Sequence, residues 1–458
     1  MSDSSTRWRS VIDVIIPHPS APRVLLLLAE DDHWSLPRVP IGDIWAVDLG
    51  QICHALLRTL GIATTVLRLA SRRGDAAQRQ VCMIYVLENH APSWQPPAHG
   101  RWASRAELSE LAQPEQGAVL DTYLAEVERG LIPELRASWC RAGWFDAATA
   151  WIAAQLATRG TPLVGAVDQV TNWSLSCILR GYTAAGAVYF KATATLPLFV
   201  NEPVIMAALA RRYPDHIPMP LSLDPQRRWM LLPDVGQPLG YDSPLAARQA
   251  MLRSFGAIQR DSAAAVDEML ELGCHDRRLE RLLAQTATLA ADAAALSGLT
   301  DVERAQFRAA LPRLQAMCAA LAAYGIPPTL VHGDLHLKNV AVSARRTQFF
   351  DWSDACVSHP FFDLISVFDE EDRTRQVQLR DAYLGVWSDC APVERLLEAW
   401  ALAQPLSDLH QAISYQHILM GLEPVAQVEF GDTVPYYVRK VLQSLGPSTP
   451  AGEDAGQL

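Results

Sequence analysis

The sequence predicts an α+β protein with more than one domain, and three observations support this class. The first 90 residues alternate short apolar runs with turn signals, which is typical of strands. A second strand-rich stretch, SLSCILRG and GAVYFKATA, follows residue 165, and beyond residue 243 apolar residues recur mostly at helical spacing. The length of 458 residues is enough for two or three domains, each with its own core.

The first 135 residues are predicted to form a strand-rich domain with one embedded helix. The strands are VIDVIIP, RVLLLLA, TTVLRLA and VCMIYVLE, and the segment AVDLGQICHALLRTLGI between the second and third has helical spacing up to Gly61. GRWASRAELSEL and a closing helix over residues 117–129 complete this domain. A connector over residues 136–165 contains three tryptophans and an amphipathic helical stretch, so we expect it to be packed rather than a free linker.

Composition excludes several classes of protein. Hydrophobic residues make up 50% and charged residues 19% of the chain, with no run of 18 apolar residues, so we expect a globular rather than a disordered or membrane-spanning protein. The start lacks the pattern of a secretory signal, which predicts the cytoplasm. The net charge is −11 without a basic arm, so nucleic acid is not an expected partner. Eight scattered cysteines without a CxxC pair predict neither a zinc site nor a disulfide framework.

The strongest local pattern is VHGDLHLKNVAV followed by QFFDWSD. It places Asp334, then Asn339 five residues later, and finally Asp351 at the end of an apolar run. This order is the one that kinase-fold phosphotransferases use. An amide and a carboxylate oxygen suit Mg²⁺, while the first aspartate can accept the proton of a hydroxyl. We expect a hairpin to bring all three side chains to one end of two paired strands.

A phosphate-binding cation and its carboxylate partner are predicted upstream. Of the 39 basic residues 36 are arginine, so a lysine at the end of the apolar run AVYFK stands out. Lys191 is therefore paired with Glu202, which begins the predicted helix NEPVIMAALA. The preceding strand turn, VTNWSLSCILRG, has no GxGxxG, so Ser174 and Ser176 or their backbone N–H groups would cover the phosphates.

Together, HGDLHLKN, FFDWSD, HPFFDL and FKA with Glu202 resemble the aminoglycoside phosphotransferase and choline kinase superfamily over residues 165–445. The resemblance implies a bilobal protein-kinase-like fold that uses ATP and Mg²⁺, with an N-lobe over residues 166–236 and a helical C-lobe over residues 237–445. The polar composition of the end of the sequence predicts a disordered tail over residues 446–458. The implied roles are a base at Asp334, metal ligands at Asn339 and Asp351, nucleotide contacts at Lys191, Glu202, Ser174, Met230 and Leu232, and loop bracing by His332 and Asp363.

The acceptor is predicted to be the hydroxyl of a small molecule, such as an aminoglycoside-like compound, a sugar or an amino alcohol. Gly333 stands where protein kinases have arginine, and Asp-Trp-Ser replaces their Asp-Phe-Gly. Asp408, Gln411 and Tyr415 share one face of a predicted helix and are candidate substrate contacts. The acidic run 369–372 is a second candidate for attracting a cationic substrate. A non-catalytic nucleotide-binding or sensor protein is the alternative.

The first 135 residues resemble a degenerate Nudix domain, which implies an α/β/α fold. The resemblance depends on VLLLLAEDDHWSLPRV, the helix ending at Gly61, and GRWASRAELSEL. None of the positions that carry metal-binding glutamates in that family holds an acid here. The glutamate positions hold Ala46, Ala55, Arg58 and Thr59, and His54 stands at the arginine that precedes the second of them. A helix without acidic ligands cannot hold the divalent ion, so a binding or packing role is expected in place of hydrolysis.

Overall fold

The computed structural model describes residues 9–29, 32–40, 49–75, 79–110, 114–342 and 346–446. Its contacts divide the chain into two compact units, and each unit contains separate stretches of sequence. The first contains Met1–Ala194, Trp229–Asp234 and Leu422–Glu429, and the second contains Thr195–Arg228, Val235–Gly421 and Phe430–Leu458. The domain boundaries proposed from the sequence stay a prediction. Ala46 and the tail beyond residue 446 lie outside the described residues.

The N-terminal part of the first unit has the predicted strands and helices. They are β1 (Arg9–Ile15), β2 (Arg23–Leu28), β3 (Trp34–Ser35), β4 (Arg38–Val39), α1 (Leu49–Leu60), β5 (Thr64–Asp75), β6 (Gln80–Asn89), β7 (Gly100–Ser104) and α2 (Pro114–Arg129). One sheet has the order β4-β1-β6-β5, with β1 parallel to β6, and another has the order β3-β2-β7.

Helices cover two separate apolar clusters of these sheets. Ile52 and Leu56 of α1 are in one cluster with Ile12 of β1. Leu120 and Leu124 of α2 are in the other cluster, with Ile15 of the same strand. Because successive strand side chains point to opposite faces, the two helices lie on opposite sides of β1. Helix α1 contains no acidic residue. The Nudix relation itself stays a prediction.

The predicted N-lobe follows the connector. Its elements are α3 (Trp144–Thr158), β8 (Asp168–Asn172), β9 (Ser176–Thr183), β10 (Gly186–Thr193), α4 (Glu202–Arg212), β11 (Ser222–Asp224) and β12 (Trp229–Pro233). In the first unit β12, β10, β9 and β8 are neighbours in that order. Trp144 and Trp151 pack against Phe190 and Trp229 with ring centroids 5.7–5.9 Å apart. Helix α3 therefore covers one face of this sheet.

The rest of the chain is mainly helical, as the Ala- and Leu-rich pattern predicts. Its elements are α5 (Leu245–Ser262), α6 (Val266–Glu271), β13 (His275–Asp276), α7 (Leu279–Ala291), α8 (Asp301–Ala322), β14 (Thr329–Val331), β15 (Val340–Val342), β16 (Thr347–Phe349), β17 (Cys356–Ser358), α9 (Ile365–Phe368), α10 (Arg373–Leu384), α11 (Val393–Met420), α12 (Pro424–Gln427) and α13 (Thr433–Leu445). No helix in the described ranges is long and apolar enough to cross a membrane.

The hairpin prediction is right for two of its three side chains. Val340 pairs with Phe349 in the β15–β16 hairpin, so Asn339 and Asp351 flank the same end of it. Asp334 instead follows β14, which pairs with β17. The prediction that Asp334 belongs to the same hairpin was wrong. A loop and a short 3₁₀ helix separate β14 from β15, and β14 pairs with β17 instead.

Candidate active site

The loop 332–339, which we call the catalytic loop, is held by backbone hydrogen bonds. The carboxylate of Asp363 accepts the N–H groups of His332 at 2.8 Å and Gly333 at 2.9 Å. Gln259 Nε2 donates to the same carboxylate at 3.0 Å. Burial raises the pKa of Asp363 to about 7, while the two backbone N–H groups oppose the shift. The predicted bracing by Asp363 is confirmed.

Gly333 is required by its backbone conformation. Its φ is +83°, in the left-handed region that side chains disfavour. A Cβ at this position would also collide with the backbone oxygen of Asp354. Only glycine therefore fits directly before Asp334 in this loop.

His332 braces the loop from within. It is fully buried, and its Nδ1 accepts the N–H of Asp334 at 3.4 Å. That contact leaves the proton on Nε2, which then donates to the carbonyl of Phe350 at 3.0 Å. Burial lowers the pKa of His332 to about 4, so the ring is neutral. The predicted brace thus ties the loop to the residue before Asp351.

Asp334 and Asn339 are brought together as predicted. The amide nitrogen of Asn339 donates to the backbone oxygen of Asp334 at 3.0 Å and to its Oδ2 at 3.3 Å. This orientation turns the amide oxygen of Asn339 away from the aspartate, which suits a cation ligand. His336 Nε2 lies 3.4 Å from Asp334 Oδ2. Burial lowers the pKa of His336, but the bond to Asp334 and the nearby carboxylates raise it overall.

Asp351 lies in an acidic environment. Its φ is +67°, a conformation uncommon for a residue with a side chain. The hydroxyl of Ser353 donates to Asp351 Oδ1 at 3.1 Å and to Asp354 Oδ2 at 3.0 Å. Burial first, and then the charges of Asp334 and Asp351, raise the pKa of Asp354. Negative charge is thus concentrated where a cation would relieve it.

These oxygen atoms fit a magnesium ion that is bound partly by a nucleotide. Mg²⁺ prefers oxygen ligands and is commonly held by one or two carboxylates together with substrate phosphates. Asn339 and Asp351 supply such an amide and carboxylate. Within the described parts of the chain, no three His, Cys, Asp or Glu side chains are grouped to hold a metal by themselves. An amide and a carboxylate are a donor set that suits an ion shared with substrate phosphates.

Glu202 contacts the segment that contains Asp351. Its side chain is completely buried at the start of α4, and its Oε1 accepts the N–H of Trp352 at 3.1 Å. The indole of Trp352 is also buried and lies 4.5 Å from the ring of His332. Trp352 is therefore a core residue rather than a cavity residue. The pairing of Glu202 with Lys191 stays a prediction.

The predicted nucleotide contacts of the first unit share one face of a sheet. Lys191 on β10 is the antiparallel partner of Met230 on β12, and Tyr189 is the partner of Leu232. Directly paired residues point to the same face, as do residues two apart along a strand. Lys191, Met230 and Leu232 therefore lie on the face opposite Phe190, which α3 covers. Lys191 is 5% exposed.

Ser174 is engaged within its own unit. The N–H of Ser174 donates to Oε2 of Glu429 at 3.0 Å. Ser176 accepts the indole N–H of Trp173 through its hydroxyl at 2.9 Å. Side chains thus hold this turn by hydrogen bonds. A glycine motif in the sequence would not reveal such contacts. Phosphate binding by Ser174 stays a prediction.

A cavity of about 570 Å³ lies beside the catalytic loop. Asp334, Gln411 and Tyr415 all line it, so two of the three predicted substrate residues are brought to the predicted base. Tyr437, which the sequence analysis missed, stacks on Tyr415 at a centroid distance of 5.7 Å. The predicted acidic run is divided between two positions. Asp369, Glu370 and Glu371 line the cavity, whereas Asp372 caps the N-terminus of α10.

Asp408 does not line this cavity. Its carboxylate is 1% exposed and lies 2.8 Å from the ammonium of Lys440, which also binds Asp369 at 2.6 Å. Burial raises the pKa of Asp408 to about 6, while Lys440 opposes the shift. The structure therefore gives Asp408 a contact with Lys440 in place of the predicted direct contact with substrate. Lys440 could have been suspected from the sequence, which has only three lysines.

Gln411 has a role that its side chain type did not reveal. Its Nε2 donates to the carbonyl of Gly333 at 2.8 Å, so it holds the catalytic loop at the residue whose N–H Asp363 accepts. We expect Gln411→Leu to lower kcat roughly tenfold with little change in the KM for ATP, because small displacements of a catalytic group are costly. Steady-state kinetics with both substrates varied would measure the change.

Gln416→Leu is the matched control for this variant. Gln416 is a buried glutamine on the same helix, and it donates to Asp292 Oδ2 at 2.8 Å. We expect its replacement to lower Tm without lowering kcat. An equal loss of kcat in both variants would assign the effect to the stability of α11 rather than to the loop.

The types and order of these side chains are those of a phosphoryl-transfer site, and a comparison with protein families agrees with this class, because a phosphotransferase family model matches part of the chain. The matching family model is APH, the phosphotransferase enzyme family. It matches residues 194–406. No curated protein matches the sequence.

Several solved structures match the chain at low identity. Choline kinase LicA from Streptococcus pneumoniae is 14% identical, with a TM-score of 0.49 over 65% of this chain and 98% of that chain. A choline/ethanolamine kinase family protein from Mesorhizobium loti is 17% identical, with a TM-score of 0.47 over 67% and 95%. Macrolide 2′-phosphotransferase type I is 16% identical, with a TM-score of 0.46 over 64% and 97%.

Proposed function

We propose that the protein transfers the terminal phosphate of ATP to a hydroxyl group of a small molecule. The observation that carries the proposal is the position of Asp334, half-buried at the wall of the cavity and directly after Gly333, whose N–H and carbonyl are both hydrogen-bonded to side chains. Asp334 would accept the proton of the acceptor hydroxyl as it attacks. Asn339 and Asp351 would hold Mg²⁺, which when bound would offset the negative charge of the phosphates.

The nucleotide contacts of this proposal remain those of the sequence analysis. Lys191 would bind the phosphates, Glu202 would support that lysine, and the strand with Met230 and Leu232 would contact the base. Support comes from the shared face of Lys191, Met230 and Leu232 and from the bond between Glu202 and the residue after Asp351. A location in the cytoplasm also stays a prediction.

We propose an amino-bearing acceptor, such as an aminoglycoside-like compound or an amino alcohol, ahead of an uncharged sugar. Among the acids that line the cavity, Asp369 is paired with Lys440, which also contacts Asp408, and Glu370 binds Arg248 at 2.6 Å. Glu371 is exposed and has no ion pair with any other described residue. A free carboxylate at the wall of the cavity favours a cationic group, at a strength that salt would reduce.

The first test is ATP consumption with a panel of amino sugars, nucleosides, sugars and amino alcohols, with GTP as a second donor. Mg-ATP should raise the Tm of the wild type, and Asp351→Ala should reduce that rise because a metal ligand is lost. Lys191→Ala should lower turnover. Asp267→Asn, which changes an exposed carboxylate on α6, is the control and should behave as wild type. Equal stabilisation of all four proteins by Mg-ATP would contradict the proposal.

The alternative is a non-catalytic nucleotide-binding or sensor protein. One observation favours it, because the N–H of Ser174 is already bonded to Glu429 rather than offered to a phosphate. Binding of Mg-ATP without phosphorylation of any acceptor in the panel would support this alternative. Phosphorylation of a hydroxyl that depends on Asp334 would exclude it.

A further inference from the structure

The turn 173–175 between β8 and β9, which we call the phosphate turn, contains Trp-Ser-Leu and no glycine. In the proposed function this is the turn that covers the phosphates. A glycine-rich turn brings its N–H groups to a phosphate through backbone freedom. A turn without glycine must be held in place by other groups.

The strand that leads into the turn, β8, is hydrogen-bonded to β5. Strand β5 belongs to the first 135 residues, which we call the N-terminal region. Gln169 accepts the N–H of Val66 at 2.9 Å and donates to its carbonyl at 2.8 Å, which imitates a strand pairing. Asn172 donates to the carbonyl of Val66 and, at 3.1 Å, to that of Leu67. Both side chains are 8% exposed, so water competes little for these bonds.

The turn itself is held by side chains that come from elsewhere in the first unit. The indole N–H of Trp139, in the connector, donates to the carbonyl of Trp173 at 2.9 Å. Glu429 accepts the N–H of Ser174 at 3.0 Å. A hydrogen bond to a charged carboxylate is stronger than one between neutral groups. Both polar groups of the Trp173–Ser174 peptide, its carbonyl and its N–H, are therefore hydrogen-bonded to side chains from outside the sheet.

The segment that carries Glu429 is in turn anchored by a buried ion cluster. Arg136 of the connector binds Glu423 at 2.8 Å and Glu126 of α2 at 2.9 Å. Arg68 of β5 binds the same Glu126 at 3.1 Å. Arg136 is 9% exposed, and breaking a buried pair is costly because a charge is left without its partner. Residues 422–429 are thus fixed to the N-terminal region.

We propose that the N-terminal region positions the phosphate turn, with Gln169, Asn172 and Glu429 as positioning residues. This inference rests on the proposed function, because it assumes that the turn covers the phosphates of ATP. The bonds hold the turn before the nucleotide arrives, so binding does not have to order it. The N-terminal region, whose helix α1 contains no acidic residue, would thereby contribute to the affinity for the nucleotide.

The test compares Glu429→Ala, Glu429→Gln and Gln169→Leu in the full chain. Calorimetry with Mg-ATP gives Kd, and kinetics give KM for ATP and for the acceptor. We expect Glu429→Ala and Gln169→Leu to raise Kd and the KM for ATP roughly tenfold, the scale of one lost hydrogen bond to a charged group. The KM for the acceptor should change less than about twofold, and Glu429→Gln, which keeps an acceptor oxygen, should restore most of the affinity.

Gln116→Leu is the control for stability. Gln116 is a buried glutamine of α2 that accepts the N–H of Leu36 at 3.2 Å and donates to Asp13 at 2.9 Å. We expect Gln116→Leu to lower Tm and to leave the Kd for Mg-ATP unchanged. An equal loss of affinity in this control would assign the effect to stability and overturn the inference.

Four further outcomes are decisive. Unchanged binding by Glu429→Ala overturns the positioning role, and tighter binding overturns it by showing that Glu429 competes with the phosphates. A wild type that binds Mg-ATP but phosphorylates no acceptor would defeat the proposed function, and the change in Kd would still support or overturn the inference. A wild type that does not bind Mg-ATP would overturn both.

Discussion

Asp334→Asn is expected to lower the rate of phosphoryl transfer by roughly 100-fold or more, because general-base catalysis contributes at least about that factor. The amide cannot accept the hydroxyl proton, but it can keep the hydrogen bond from Asn339, which the aspartate accepts at 3.3 Å. The Kd for Mg-ATP should therefore stay within about threefold of wild type, since the base acts on the acceptor rather than on the nucleotide.

Single-turnover kinetics and calorimetry would separate the two quantities for Asp334→Asn. Asp267→Asn makes the same chemical change on the exposed surface of α6 and should leave both quantities unchanged. A variant of Asp334 that keeps more than about a tenth of wild-type turnover would remove it from the role of base.

Asp363→Asn is expected to have the second largest effect, on stability and on turnover together. The aspartate accepts hydrogen bonds from His332, Gly333 and Gln259, and it is 3% exposed. An amide group would direct its own N–H toward one of these donors and leave that donor without a partner. One buried unsatisfied polar group costs about 1–3 kcal/mol, so Tm should fall clearly. Turnover should fall at least about tenfold, since the loop before Asp334 loses its brace.

Asp292→Asn provides a matched comparison for this variant. Asp292 accepts the N–H groups of Ala294 and Ala295 and the amide of Gln416, a similar donor set that does not contact the catalytic loop. Thermal unfolding and kinetics at a temperature where all proteins are folded should show a loss of turnover for Asp363→Asn alone. Wild-type turnover in folded Asp363→Asn would contradict the bracing role.

The sequence predicts those parts of the site that are close together along the chain. Asp334 and Asn339 are five residues apart, and their contact follows from one loop. The elements around Lys191 follow from alternating apolar runs, because strand periodicity is a local property. The bond from Glu429 to Ser174 joins residues 255 positions apart, and no local pattern contains it.

Helix α11 shows why the substrate residues were only partly predicted. Polar residues at i, i+3 and i+7 share a face, and that periodicity predicted that Asp408 lines the cavity with Gln411 and Tyr415. The helix is surrounded by other elements, so Asp408 is as well buried as Leu409. Periodicity identifies which residues share a face, but the charge of Lys440, 32 positions later, decided what Asp408 contacts.

The division of the chain between its units has a consequence for biosynthesis. Residues 422–429 belong to the first unit, although the ribosome makes them after most of the second. Domains generally fold as units while synthesis proceeds from the N-terminus. In this protein the first unit cannot be complete until residue 429 has emerged from the ribosome. More than half of the chain is synthesised between Ser174 and Glu429, the residue that accepts its N–H. The order of translation therefore leaves this turn without its last contact until the second unit has been nearly completed.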